Sequence, residues 1–504
     1  MLPVDRLTDT LSSNVLVGVL TGLVVLPLVW HSLAVNKKSQ LGTRKVVRPK
    51  TTKPLIGNTL EVIGNISVRH DWFTSLCAEA EGNPVLLQSL GTLDMTLLST
   101  PEAFEDVLKT QFDNFPKGPK KAEFLRELNG EGIFAVDHEK WYHQRKTASN
   151  LFTMQALRET MTSTIQRHLV VLERIFRRAA ETNDTVDVFQ QLSRFTMDAF
   201  ADIGFGIEMN CLGSDIDPPF QKSFDRTLQL LVLRVSRPSW FWKAQRFLGV
   251  GAEGQLKQDI AVINSAVFDI VVKALQRHLN KSTDADESCG FDPNYLRDIV
   301  VNFIIAGRDT SAQALSWFFY CLSQNKQVET KIREEISEKL PELLTGQCSP
   351  SMDEVSELTY VEAVLRETLR LYPPVPIVTK EAVHDTVLSD GTFIAGGSNV
   401  GLPMYALGRM LHVWGPDAAE FKPERWINSK TGKLISVSAY KFVSFNAGPR
   451  LCLGKNLAML EMKLIVATLL SKFHIELESP EKVTYAPSFT LPVKGPLNAK
   501  IFAI

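Results

Sequence analysis

The 504-residue chain lacks any excess of charge: 55 Lys and Arg against 56 Asp and Glu leave a formal net charge of −1. No global field therefore draws it to nucleic acid, and no nucleic-acid partner is expected. Cysteine is scarce. The six residues, at 77, 211, 289, 321, 348 and 452, never stand in C-x-x-C spacing. A zinc site or redox dithiol is therefore not expected, and the pattern fits a reducing compartment. His138-Glu139 and His143 stand one residue too far apart for the zinc-protease H-E-x-x-H pattern, which puts the two imidazoles on different helix faces. There is no internal repeat and no low-complexity tract, so one large folded body is expected.

Charge is also missing locally. None occurs from Leu11 through Asn36, and within that stretch Val15 to Val35 is mostly Val and Leu. This meets the roughly 20 residues that a bilayer core requires. The run is long for a signal peptide and has no positive n-region or clean cleavage site. Lys37, Lys38, Arg44, Lys45, Arg48, Lys50 and Lys53 follow, with no acidic residue before Glu61. That asymmetry predicts a single-pass anchor with the body in the cytosol and the short N-terminus in the lumen. Residues 1–36 are read as luminal end and anchor, 37–54 as a basic, Pro-containing linker, and 55–504 as the catalytic domain.

Helical periodicity dominates the body, over 101–109, 137–152, 154–180, 187–204, 219–234, 253–280, 294–325, 327–340, 354–371 and 454–471. Short strands are expected around 84–98, and a hairpin on the Asp390-Gly391 turn. The expected fold is mainly α with small β-sheets, a single large domain plus the N-terminal transmembrane helix.

The densest chemical signal runs from Phe445 through Gly448, Arg450 and Cys452 to Gly454. A strong helix former sequence follows, so Cys452 is predicted in a tight loop ahead of a helix N-terminus, where N–H groups and the helix dipole favour a thiolate. Gly448 and Gly454 would let the backbone approach a flat ligand. Arg450 offers a donor fork for a carboxylate. A buried structural cysteine is the plain alternative, but the set together suggests a thiolate ligand for haem iron with an arginine for a propionate. Midway along an apolar helix, Ala306-Gly307-Arg308-Asp309-Thr310 predicts an opening at Gly307, with Thr310 bonding a preceding carbonyl and Asp309 and Thr310 able to pass protons. Glu367 and Arg370 share a helix face and could lock with Arg425. Trp141 and Arg145 share another face and could reach a propionate.

Taken together, Trp141-x-x-x-Arg145, Ala306-Gly307-x-Asp309-Thr310, Glu367-x-x-Arg370, Pro423-Glu-Arg425 and Phe445-x-x-Gly448-x-Arg450-x-Cys452-x-Gly454 resemble the cytochrome P-450 superfamily of haem-thiolate monooxygenases, over roughly residues 50 to 504. The resemblance implies haem b with Cys452 as axial ligand. It also implies electrons from NADPH through a membrane-bound FAD/FMN flavoprotein reductase, and dioxygen with a lipophilic molecule as substrates. Lys441, Lys455 and Lys463 are candidate docking charges for that reductase. The catalytic domain would sit at the cytosolic face of the endoplasmic reticulum membrane. Tyr295 to Thr310, Leu369 to Pro376, Tyr405 to Met410 and Trp414 to Trp426 look like the plant and fungal fatty-acid and alkane ω-hydroxylases, although the stretch from Lys281 to Pro293 is shorter than in that group. Ala306 stands where the animal fatty-acid enzymes often carry a glutamate, so no covalent haem link is expected. Substrate-lining candidates are 121–136, 229–245 and 375–380. Oxidation of a sterol or terpenoid, haem-thiolate isomerisation without dioxygen, and a non-catalytic haem carrier remain as alternatives.

Overall fold

The computed structural model describes residues 42–90, 92–214, 219–235, 237–281, 292–345 and 349–504. The predicted apolar span at 15–35 lies outside the described residues. Among the described residues, no helix is long and apolar enough to cross a membrane. The body is mainly helical with small sheets, as expected.

Periodicity explains the central helices. Thr162–Thr182 buries Ile165, Leu169, Leu172, Phe176 and Ala179 at alternating three- and four-residue steps, which places them on one face. It ends at Asn183, which takes the left-handed conformation that asparagine tolerates. Val188–Phe205 starts where the Asp187 side chain accepts from the Gln190 N–H at 3.2 Å and stops at left-handed Gly206. These two helices pack with Thr310–Gln324, Thr359–Leu371 and Lys455–Leu470 around the main core, which holds Phe195, Trp317, Phe318 and Leu464. A second core, with Phe224, Leu231, Ile263 and Val301, lies between Pro219–Val235, Gly251–Lys281 and Pro293–Ile304.

A four-stranded sheet runs Val85–Leu87, Met95–Leu97, Asn399–Leu402, Val378–Glu381. Its middle pair is parallel, with Met95 opposite Asn399, and the outer pairs are antiparallel. Within the segment read as a linker, Val47 N–H donates to the Pro84 carbonyl at 2.8 Å, and Arg44 pairs with Asp390 at 2.7 Å. Those residues are attached to the body.

Among the described residues, three helices of ten residues or more escaped the periodicity reading: Arg69–Glu79, Pro119–Asn129 and Ser239–Leu248. The first has almost no amphipathic bias; the third is amphipathic but short, and it leaves Trp240 and Phe247 exposed. The predicted 294–325 helix exists but changes winding, with Pro293–Ile304 passing through a wide π turn, Ile305–Asp309, into Thr310–Gln324.

Candidate active site

Cys452 sits two residues ahead of Gly454, the N-cap of Lys455–Leu470. Its N–H donates to the Phe445 carbonyl at 2.8 Å, which closes the loop. The residue is exposed, yet enough protein surrounds the sulfur for desolvation to dominate. Burial pushes the thiol up, against the Gly454 N–H and the charges of Arg145 and Lys455. The helix-end N–H favours the thiolate, as expected, but burial outweighs it.

The two loop glycines differ. Gly448 has φ 62°, and a Cβ there would overlap the Leu108 carbonyl. That neighbouring backbone by itself requires glycine there. Gly454 has an ordinary φ of −85°, and a Cβ there would meet only the Phe152 ring at 3.7 Å.

Arg450 found its carboxylate within the chain. It donates to Asp137 at 2.5 Å and to the Val136 carbonyl at 3.1 Å, and it lies 4.3 Å over the Trp141 ring. Its Nε is buried with no partner. Arg145 donates to the Leu451 carbonyl at 2.7 Å and so ties its helix to the cysteine loop. Around Arg450 the structure gathers three lysines that sequence reasoning missed. Burial pulls Lys121 down to about 8 and Lys380 down to about 7, with Arg450 adding repulsion in both cases. Lys117 is lowered for the same reasons. Lys121 donates to Thr379 Oγ1 at 3.0 Å, Lys117 donates to the Phe134 carbonyl at 2.6 Å, and Lys380 Nζ has no partner. Asp137 is the carboxylate that enters the balance of all four groups. Lys380 is buried, and Arg450, Lys117 and Lys121 are half-buried; the cluster is deficient in negative charge, and partly desolvated cations in that state call for an anion. The available signal was faint: Lys380 is one lysine in a short strand, and Lys117 and Lys121 flank a Gly-Pro turn.

The wide turn is where the sequence placed it. Thr310 Oγ1 donates to the Ala306 carbonyl at 2.7 Å, and both residues border open space while Asp309 is buried. On the other side of the turn a Cβ at Gly307 would overlap the Phe200 ring, so the glycine also accommodates that ring. Phe200 stacks on Phe303, and Phe303 on Phe152. Asp309 is pushed up to about 7, by burial first, while Arg308 opposes and Asp225 reinforces the shift.

The lock forms as read. Glu367 accepts from Arg370 Nε and Nη2 at 2.8 Å each, from Arg425 Nε at 2.8 Å, and also from Trp426 Nε1 at 2.9 Å. Arg370 continues to the carbonyls of Gly408, Ala418 and Glu420. The Ser444 hydroxyl donates to the Leu369 carbonyl at 2.7 Å, linking this platform to the cysteine loop. The expected lining segments also meet: Lys121 reaches Thr379, and Arg234 donates to the Phe124 carbonyl at 2.9 Å. Phe489 adds an unpredicted ring against Phe124. Of the three basic residues read as docking charges, Lys463 is buried and paired with Glu362 at 2.6 Å, Lys441 is half-buried over Trp414, and Lys455 is exposed.

A mainly helical body with a cysteine loop ahead of one helix and an opened turn in another is the arrangement that the resemblance to haem-thiolate proteins implies. Residues 47–498 match the Cytochrome P450 family model, and the chain belongs to that family, whose members hold haem. It is 34% identical to Cytochrome P450 94B1 of Arabidopsis thaliana, over 91% of this chain and 93% of the relative. It is 35% identical to Cytochrome P450 86B1 of the same plant, over 87% and 79%. It is 33% identical to Cytochrome P450 704C1 of Pinus taeda, over 87% and 89%.

Proposed function

We propose that this P450 monooxygenase hydroxylates the terminal carbon of a long-chain fatty acid or alkane, taking electrons from NADPH through a flavoprotein reductase. Cys452 is assigned as the iron ligand, and Arg450, Lys121 and Lys380, with Trp141 and Arg145 behind them, as the residues that hold the haem carboxylates. The observation that carries the assignment is the cation cluster around Arg450. Two propionates fit it, because they bring the negative charge that Asp137 alone does not supply. When bound, haem supplies the oxidation chemistry, inserting one oxygen atom from O2 into a C–H bond.

The chain's own contributions follow from geometry. The Phe445 carbonyl and Arg145 hold the cysteine loop in one shape. Thr310 spends its proton on the Ala306 carbonyl, so its oxygen is left as an acceptor for an ordered water. Asp309, with its acidity reduced to near neutral, holds a proton that it can release at physiological pH. The segments around Phe124, Arg234 and Thr379 exclude water and orient the chain end. The resemblance of 295–310, 369–376, 405–410 and 414–426 to ω-hydroxylases supports the substrate class. An anchor at 15–35 in the endoplasmic reticulum membrane completes the reading. In its support, Trp240, Phe247 and Leu248 are 70%, 91% and 67% exposed on a helix that also carries Lys243 and Arg246, a combination suited to a lipid interface.

The first test is the absorption spectrum of the reduced, carbon-monoxide-bound protein. The red-shifted thiolate band is expected in wild type and lost in Cys452→Ala; folded wild type without the band overturns the assignment. A panel of fatty acids, alkanes and sterols with reductase and NADPH then tests the substrate. Oxidation of a sterol alone overturns the ω-hydroxylase reading.

A further inference from the structure

The proton-donating acid is not held by its own helix alone. Arg308 is 2% exposed, and its Nη1 is shared between Asp309 Oδ1 at 2.8 Å and Asp225 Oδ1 at 2.7 Å. Asp225 lies on Pro219–Val235, and its side chain is 46% exposed. Thr196 of a third helix fixes the turn by donating to the Arg308 carbonyl at 2.8 Å. The second oxygen of Asp309, Oδ2, is buried without a partner.

Charge balance gives this arrangement a consequence. Two ionised carboxylates on one guanidinium would leave a net negative charge in a buried space, which is costly. Asp225 is partly in water and Asp309 is buried, so the desolvation cost falls on Asp309. The trio is neutral when Asp225 is a carboxylate, Arg308 a cation and Asp309 a carboxylic acid. Without the Asp225 charge, neutrality is reached instead by an Asp309 carboxylate on Arg308, with no proton to give. Resting on the monooxygenase reading above, we propose that Asp225 is a positioning residue that keeps the transferable proton on Asp309 by engaging the Arg308 charge. After donation Asp309 is left as a carboxylate and takes its next proton from solvent water. Among the described residues, the neighbouring Asp198 and Arg194 are already engaged: Asp198 accepts from the Cys211 and Leu212 N–H groups, at 2.9 and 2.8 Å, and Arg194 donates to the Ser214 carbonyl at 2.7 Å. Burial keeps the Cys211 thiol protonated.

The test compares Asp225→Asn, isosteric and at a half-exposed position, with Asp225→Glu, each first shown to keep the wild-type unfolding temperature. Infrared difference titration of the full chain reads the carboxylic-acid carbonyl stretch that Asp309→Asn removes. That band is expected to titrate near neutral pH in wild type and Asp225→Glu, and about one pH unit lower in Asp225→Asn. Product formed per NADPH consumed should fall about tenfold in Asp225→Asn at neutral pH, with substrate affinity unchanged, and recover in Asp225→Glu. An unshifted band with wild-type coupling in Asp225→Asn overturns the inference. Wild-type protein that oxidises nothing overturns the monooxygenase reading instead, while the infrared titration still decides the role of Asp225.

Discussion

Two polar clusters attach to the cysteine loop, one through Ser444 and one through Arg450, and they are built on opposite principles. At the platform, Glu367 is fully enclosed and accepts from Arg370, Arg425, Trp426 and the Lys422 N–H, and the arginines spend their remaining donors on backbone carbonyls. The set closes on itself. At the other cluster, Arg450, Lys117, Lys121 and Lys380 crowd around Asp137, and Lys380 Nζ and Arg450 Nε are left without partners. This set closes only when something anionic arrives. A satisfied buried network supports structure; an unsatisfied one of a single sign is prepared for a ligand.

The contrast can be broken most forcefully at Glu367. Glu367→Gln leaves the buried Arg370 guanidinium without its carboxylate and Arg425 with Asp417 alone, and thermal or urea unfolding should show a loss of about 3–5 kcal/mol, with or without haem. Gly448 lies in the loop to which both clusters attach. Gly448→Ala sets a Cβ against the Leu108 carbonyl at a positive φ, and a loss of about 1–3 kcal/mol is expected, read as lower unfolding temperature and poorer haem retention. Lys380→Met should behave oppositely to Glu367→Gln. It removes an unpartnered buried amine, so the haem-free protein should gain stability, by about 1–2 kcal/mol at neutral pH, while haem dissociates faster. A gain in both forms, or a loss in both, would break the comparison.

The same lysine sets a pH signature. Its folded-state value is depressed from 10.5 to about 7, so the unfolded chain binds the extra proton between these limits. The Lys380 contribution makes haem-free stability rise as pH increases from about 7 toward 10.5. Bound carboxylates should flatten that rise, which denaturation at several pH values can check. The smallest effect is expected for Ser444→Ala, which cuts the hydrogen bond from the cysteine loop to the platform. About 1 kcal/mol is expected from equilibrium unfolding.

Much of this molecule was legible along the chain. The Glu367–Arg370–Arg425 lock, the opened turn at 305–309 and the Thr310 back-bond each rest on residues whose spacing or local chemistry carries the geometry. Helices such as 188–205 show their apolar faces directly. The lysine cluster was not legible, because its members come from a loop, a helix and a strand that meet only after folding, and none carries a local pattern. The short strands at 378–381 and 399–402 were missed for a similar reason, since their identity comes from pairing with each other and with Met95–Leu97.

For Cys452, local sequence determined the loop, the helix that follows and the neighbouring arginine, since tight turns and helix starts are short-range events. Tertiary structure decided the rest. It turned Arg450 onto Asp137 and Trp141, assigned Gly448 to the Leu108 carbonyl and Gly307 to the Phe200 ring, and buried Asp309 against Arg308 and Asp225. It also let desolvation outweigh the helix end at the sulfur. Desolvation and charge balance depend on every group that packs nearby, and no spacing along one chain encodes that sum.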